Sequence, residues 1–167
     1  SETSMYMYAT ALSHKISLPN NAFLNSSVSY SGNGLDFVEE RQDYEMQTHP
    51  QSFAQNYSSR LTIQSDFTKR FGDHHSNSTG IRYNHLSFDI DVEQSPVEGK
   101  APVQVSDQTG NTDFIQLYSQ SKVALMPKLD LNVGVNAQYL LLNNNTSFEP
   151  RIGLKYDINN NQSLGLA

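Results

Sequence analysis

Residues 129–139 have the sequence LDLNVGVNAQY, in which an apolar side chain alternates with a polar or small one at every step. After a polar interruption at residues 143–147, the alternation resumes over residues 148–158, FEPRIGLKYDI. A period of two places successive side chains on opposite faces of a β-strand. We therefore predict two amphipathic strands, each with one apolar face. Faces of this length are typical of a sheet that separates lipid from water.

The composition limits the classes of function that are open to the chain. It has 167 residues, enough for one domain, and no cysteine, which excludes disulfides and thiolate metal sites. The formal net charge of −6 argues against nucleic acid as a partner. Only 37% of the residues are hydrophobic, fewer than the roughly 45–50% of soluble domains. Together with the strand pattern, this low share favours a barrel with a wet lumen.

The alternation extends, less regularly, along the rest of the chain and predicts an all-β fold. We expect an antiparallel up-and-down meander of about eight strands, of the kind that forms transmembrane β-barrels, with residues 1–167 in a single domain. The predicted strands are residues 5–16, 22–31, 57–71, 78–92, 114–125, 129–142, 148–158 and 163–167. Two segments without periodicity, residues 32–56 and 93–113, are predicted to be long loops.

The predicted connections alternate in length along the chain. Every connection that follows an odd-numbered strand is short, and the two long loops follow even-numbered strands. Because strands joined by hairpins alternate in direction, the short turns lie at one end of the sheet and the long loops at the other. Outer-membrane barrels have short periplasmic turns and longer extracellular loops. We therefore expect both long loops to face the outside of the cell.

Charged residues on the polar face are the candidates for a functional surface. In a barrel this face lines the lumen, and nine residues are predicted to point into it: Arg60, Asp66, Arg70, Asp89, Asp91, Glu149, Arg151, Lys155 and Asp157. Charges of both signs favour a mutually neutralised wall, with direct contact to a ligand as the alternative. No catalytic residue, metal site or cofactor is predicted, because neither a hydrolase elbow nor a suitable spacing of metal ligands is present.

Three segments resemble a known family in detail. Residues 131–139, 142–144 and 148–156 are similar to barrel strands of TonB-dependent outer-membrane receptors of the carboxypeptidase-regulatory-like type. The most characteristic parts are Glu149-Pro150-Arg151 followed by Gly153, and the downstream run Asn161-Gln162-Ser163-Leu164. The resemblance implies a barrel of about 22 strands. It also implies a separate N-terminal plug domain and energy supplied by the TonB system of the inner membrane.

The resemblance further implies that the chain is an internal fragment of such a barrel, located in the outer membrane and in contact with its lipid. The parent protein would take up an unknown nutrient ligand, with TonB acting through a plug region outside this chain, and it would not be an enzyme. Eight strands taken from a larger barrel have two open edges. We expect the isolated fragment to hide them by self-association, by closing on itself or by folding its loops over the sheet.

A secreted soluble β-sandwich that binds carbohydrate or mediates adhesion is the alternative from a different class of protein. It predicts that Leu129, Leu131, Val133 and Val135 pack against a second sheet. The barrel predicts that the same four side chains face lipid.

Overall fold

Eight β-strands make up the fold. The computed structural model describes residues 1–42, 46–96, 100–159 and 161–166. The strands are β1 (Glu2–Leu18), β2 (Ala22–Gln42), β3 (Thr48–Phe71), β4 (His75–Gln94), β5 (Val103–Met126), β6 (Leu129–Leu140), β7 (Asn145–Asn159) and β8 (Gln162–Leu166). They form one sheet in the order β1 to β8, which confirms the predicted all-β meander. Within the described residues, no helix is long and apolar enough to cross a membrane.

The two predicted long loops are much shorter in the structure. β2 continues to Gln42 and β3 starts at Thr48, while β4 continues to Gln94 and β5 starts at Val103. Residues 32–42, 48–56 and 103–113 are therefore strand and not loop, whereas residues 43–45 and 97–99 of the predicted loops lie outside the described residues. Alternation is required only where one face of a strand meets an apolar medium. Where both faces are wet, backbone pairing persists without that signal.

The connections fall into two groups by length. β1–β2, β3–β4 and β5–β6 are joined by residues 19–21, 72–74 and 127–128, whereas β2–β3, β4–β5 and β6–β7 are joined by residues 43–47, 95–102 and 141–144. Left-handed backbone angles at Asn20 (φ 61°) and Asn21 (φ 56°) allow the tight reversal of the first hairpin. Because neighbouring strands run in opposite directions, each group lies at its own end of the sheet.

The single sheet argues against the soluble β-sandwich. All eight strands of the described chain belong to this one sheet, so no second sheet in it covers Leu131 or Val133. Among the described apolar residues, Ala22 alone is buried. A sandwich needs an apolar core between two packed sheets, and the described residues do not provide one.

The chain divides into two compact units, which we describe separately. Unit 1 comprises Ser1–Thr10, Ser29–Leu61 and His85–Thr112. Unit 2 comprises Ala11–Val28, Thr62–Asn84 and Asp113–Ala167. Unit 2 contains the short turns and all of β6, β7 and β8, and unit 1 contains the segments that extend β2, β3, β4 and β5.

The register of β6 and β7 in unit 2 separates apolar from polar residues. Across the antiparallel β6–β7 pair, Leu131 lies opposite Leu154 and Val133 opposite Ile152. On the other face of the sheet, Asn136 lies opposite Glu149 in the same pair. Directly opposed residues share a face, so the two-faced strands predicted from residues 129–158 are present. Slipping either strand by one residue would mix the two faces.

Candidate functional site

The polar face of unit 2 is built from even-numbered side chains of β3 to β6 and odd-numbered side chains of β7, and we call it the charged face. Three of its cations, Lys122, Arg151 and Lys155, have acidic partners on the same or the neighbouring strand. The ion pairs join Lys122 Nζ to Asp130 Oδ2 at 2.8 Å, Arg151 to Glu149 at 2.9 Å and Lys155 to Asp157 at 2.9 Å. Such exposed pairs add little stability. Their consequence is a wall with little net charge.

Asp66 is the centre of a hydrogen-bond network on the charged face that joins three strands. It accepts hydrogen bonds from the Tyr118 hydroxyl of β5 and from the Gln64 amide of β3. Gln64 Oε1 in turn accepts a hydrogen bond from Arg82 Nε of β4 at 2.9 Å. The carboxylate is thereby held by fixed donors, and Gly80 of β4 leaves the space in which Asp66 and the Tyr118 ring meet.

A second polar network crosses β5, β6 and β7. The side chain of Asn136 is buried, with 5% of its surface exposed. Its Oδ1 accepts a hydrogen bond from Gln116 Nε2 at 2.9 Å, and its Nδ2 donates to Glu149 Oε2 at 3.3 Å. The sequence places both Asn132 and Asn136 on the polar face. It does not indicate that Asn136 is the more buried of the two, because burial depends on the neighbouring strands.

Three glycines open a groove on the charged face beside this network. Gly134, Gly153 and Gly165 lie on β6, β7 and β8 and present no side chains there. The groove has a volume of about 640 Å³ and is flanked by Arg151 and Lys155. Both cations already have acidic partners, so the groove is polar but close to neutral.

The structure places all six sequence-predicted site residues of unit 2 on one face. Those on the charged face are Asp66, Arg70, Glu149, Arg151, Lys155 and Asp157. Arg70 forms no ion pair within the described part of the chain. Its guanidinium lies 5.7 Å from the centre of the Phe23 ring, and Lys15 Nζ lies 5.4 Å from the same ring centre. The remaining predicted residues, Arg60, Asp89 and Asp91, lie in unit 1.

In unit 1 the two aspartates lie on the opposite face from Arg60, contrary to the sequence-based expectation that all three share a face. Ser59 of β3 and Ser87 of β4 share one face, because their hydroxyl oxygens lie 2.7 Å apart and form a hydrogen bond. Arg60 follows Ser59 and therefore points to the other face, while Asp89 lies two residues beyond Ser87 on the serine face. Asp91 continues that alternation and accepts a hydrogen bond from Gln104. In unit 1 the apolar side chains Leu86 and Phe88 of β4 lie on the same face as Arg60.

Four tyrosines form a cluster on the serine face of unit 1. The ring of Tyr8 lies 6.4 Å from that of Tyr6 and 5.6 Å from that of Tyr30, and Tyr57 lies 6.0 Å from Tyr6. The rings of Tyr8 and Tyr6 cross Gly32 and Gly34 of β2 so closely that no Cβ could be accommodated there without displacing them. Aromatic cover of strand glycines stabilises such sites.

Tyr57 is held by a carboxylate from the neighbouring strand. Its hydroxyl donates to Asp36 Oδ1 at 2.8 Å. Tyr57 is the first residue of the strand predicted over residues 57–71, and the apolar alternation of that strand begins at Leu61. The sequence gives no signal for this pair, whose members are 21 residues apart.

The Arg60 face of unit 1 carries a second groove, of about 660 Å³. Apolar side chains of β1 and β4 line it, namely Met7, Ala9, Leu86 and Phe88. Arg60, Asn33 and Ser58 supply its polar groups. No group of three or more His, Asp or Glu side chains in the described ranges could hold a metal ion.

Comparisons with known proteins agree with this architecture. The family profile described as TonB dependent receptor-like, beta-barrel matches residues 2–166. Among solved structures, a mutant of the ferric enterobactin receptor PfeA from Pseudomonas aeruginosa has a TM-score of 0.70 and 13% sequence identity, and the match covers 95% of this chain and 24% of that chain. The ferric-catecholate import receptor Fiu from E. coli has a TM-score of 0.72 and 10% identity, with 98% and 29% covered. The comparison with curated proteins gives no match.

The outer membrane transporter YddB from Escherichia coli is a further neighbour, with a TM-score of 0.60, 14% identity, and 92% of this chain and 24% of that chain covered. At such identities the likeness establishes the fold, and the chain spans about a quarter of the length of these proteins. The family and the outer-membrane location that the resemblance implied are confirmed. The chain belongs to the TonB-dependent receptor family and is part of its outer-membrane β-barrel.

Proposed function

We propose that this chain forms part of the wall of an outer-membrane receptor that imports a nutrient ligand with energy from the TonB system. The observation that carries the proposal is the register of β6 and β7, which pairs Leu131 with Leu154 on one face and Asn136 with Glu149 on the other. A wall between lipid and a wet lumen needs this separation over every strand. Catalysis is not part of the proposal.

The charged face is proposed to line the lumen. Its ion pairs and the Asp66 network satisfy the charges of the wall with one another. A lumen surface of this kind has a weak net field, because charges of both signs lie close together. It therefore lets a charged ligand pass without holding it, and we assign it a passage role rather than a recognition role.

The extended hairpins β2–β3 and β4–β5 are proposed to project outside the cell. A tilted strand crosses a bilayer in about 9–11 residues. β2 has 21 residues and β3 and β5 have 24 each, so roughly half of each strand is left over. The excess lies at the end of the sheet opposite the short turns, which in outer-membrane barrels is the extracellular end.

Cysteine labelling in intact cells tests this orientation. The chain has no native cysteine, so single substitutions in a cysteine-free version of the complete receptor give a clean signal. We expect Gln42→Cys, at the exposed end of β2, to react with a membrane-impermeant maleimide added to whole cells. Asp73→Cys, in the exposed β3–β4 turn, should react only after the outer membrane is permeabilised. The opposite pattern would invert the proposed topology.

The structural neighbours suggest which ligands to test first. Two are named as receptors for ferric enterobactin and ferric catecholates, and another is the RagAB peptide importer. We propose that the ligand is, like these, larger than the solutes that pass open porins. Iron complexes and oligopeptides are therefore the two classes of probe.

Uptake measurements test the function itself. We expect cells that express the complete receptor to accumulate radiolabel from ferric enterobactin or from an oligopeptide mixture only when TonB is present and the proton gradient is intact. Binding at the cell surface should persist without TonB. The matched control is the same strain without the receptor. Accumulation that survives an uncoupler, or no receptor-dependent binding of either class, would contradict the proposal.

A further inference from the structure

The groove on the Arg60 face of unit 1 differs from the charged face of unit 2 in the chemistry of its wall. Its volume of about 660 Å³ is enough for a small organic ligand. Met7, Ala9, Leu86 and Phe88 contribute most of its wall, and Met7 and Phe88 are 84% and 44% exposed. Apolar side chains exposed along one groove favour a ligand that buries them.

Arg60 supplies a positive charge to this groove without an acidic partner. No ion-pair or hydrogen-bond partner of Arg60 occurs in the part of the chain that the structure describes. Lys122, Arg151 and Lys155 of unit 2 each lie within 2.9 Å of a carboxylate oxygen. Arg70 and Arg82 of unit 2 form no ion pair among the described residues, but Arg70 lies over the Phe23 ring and Arg82 donates a hydrogen bond to Gln64. Asp89 cannot neutralise Arg60 from within the groove, because it lies on the opposite face of β4.

Two further polar side chains at the same groove have hydrogen-bonding groups without a partner among the described residues. Asn33 Oδ1 accepts a hydrogen bond from Ser58 Oγ at 2.7 Å, which leaves the amide N–H groups of Asn33 as donors. The hydroxyl of Thr112, which also lines the groove, is buried and has no hydrogen-bond partner among the described residues. Buried polar groups are normally satisfied. The groove therefore combines an apolar wall with unmatched donors.

We propose that this groove is a binding subsite for an amphipathic anion, a ligand with an apolar or aromatic body and a carboxylate or similar oxyanion. The body would cover Leu86 and Phe88, and the oxyanion would receive two N–H groups from the guanidinium of Arg60. A purely apolar ligand would desolvate Arg60 without compensation. The inference rests on the proposed receptor function, because it names the chemical class of ligand that such a receptor would recognise.

Equilibrium binding to the complete receptor in lipid nanodiscs tests the subsite. The probes are 2-naphthoate and its neutral counterpart 2-naphthamide, with empty nanodiscs as the blank. We expect saturable binding of 2-naphthoate that weakens about tenfold or more in Arg60→Gln, since a charge-assisted pair is lost. Arg60→Lys should retain part of the affinity. Binding of 2-naphthamide should be weaker at the outset and unchanged by Arg60→Gln.

Two further variants separate the subsite from general effects on the receptor. Arg41→Gln removes an exposed cation of unit 1 that does not line the groove, and it should leave the affinity for 2-naphthoate unchanged. Phe88→Ala should weaken the binding of both probes, because it shortens the apolar wall. Heat-modifiable migration on gels reports whether each variant folds. Unaltered 2-naphthoate affinity in Arg60→Gln, or no saturable binding by the wild-type receptor, would overturn the inference.

This experiment is independent of energised transport. Binding in nanodiscs needs neither TonB nor a proton gradient. If uptake proves passive while 2-naphthoate binding still depends on Arg60, the transport proposal fails and the subsite stands. If uptake is TonB-dependent but the affinity for 2-naphthoate is unchanged in Arg60→Gln, the subsite proposal fails and the transport proposal stands.

Discussion

Replacing Val133 by arginine is expected to destabilise the folded barrel by about 2–4 kcal/mol, the cost of a cation on the lipid face near the middle of a bilayer. Val133 lies near the middle of β6, between Ser121 of β5 and Ile152 of β7. Its side chain is 43% exposed in the chain, so lipid is available to contact it. The measurement is the denaturant midpoint of the complete receptor in lipid vesicles, together with the fraction that reaches the folded, heat-modifiable form.

The adjacent position provides a matched control for this prediction. Asn132 lies opposite Gly153 on the charged face, and Asn132→Arg introduces the same side chain at nearly the same depth. Because the lumen is wet, we expect the control to shift the midpoint by much less than Val133→Arg. Equal losses for the two variants would show that the apolar face does not meet lipid.

Gly80→Ala is expected to cost about 1–3 kcal/mol, the range for inserting a methyl group into an occupied site. A Cβ at this position would lie 2.6 Å from Cε1 of Tyr118 and would also meet Oδ1 of Asp66. Real atoms do not approach so closely, so the ring must move away and the Tyr118–Asp66 hydrogen bond must lengthen. The loss should appear as a lower unfolding midpoint of the complete receptor in vesicles.

Gly165→Ala is the control for the effect of the substitution itself. A Cβ at Gly165 on β8 would have no atom within 4 Å among the described residues. We expect its midpoint to stay within about 0.5 kcal/mol of the wild type, the usual range for surface changes. A similar loss of stability in both variants would show that the effect comes from backbone propensity and not from the Asp66 site.

The strands near the C-terminal end of the chain could be predicted because the membrane imposes a strict rule on them. In residues 129–139 and 148–158 each apolar residue is followed by a polar or small one, because one face of the strand is to meet lipid. The predicted strands, residues 129–142 and 148–158, therefore lie within three residues of the bounds of β6 (Leu129–Leu140) and β7 (Asn145–Asn159). The turn chemistry of Pro, Asn and Gly fixed the short connections in the same way.

The extended hairpins could not be predicted by this rule. Residues 32–42 and 103–113 are strand without an apolar alternation. In the proposed orientation they lie beyond the membrane, where neither face is required to be apolar. The predicted face of Asp89 is wrong for a related reason. The apolar residues of β4 change phase after Tyr83, and the sequence alone allows either a bulge or a change of face.

The sequence by itself determined the fold class, the number of strands and which residues of β5 to β7 share a face, because side-chain direction along a strand is a local property of period two. Only the tertiary structure decided which groups meet across strands. Asp66 and Tyr118 are 52 residues apart, and nothing near either one in sequence pairs them. The same is true of Arg60, which has no acidic partner among the described residues, whereas Arg151 is paired with Glu149. Charge pairing depends on the register between strands and on the sheet order, and both are non-local.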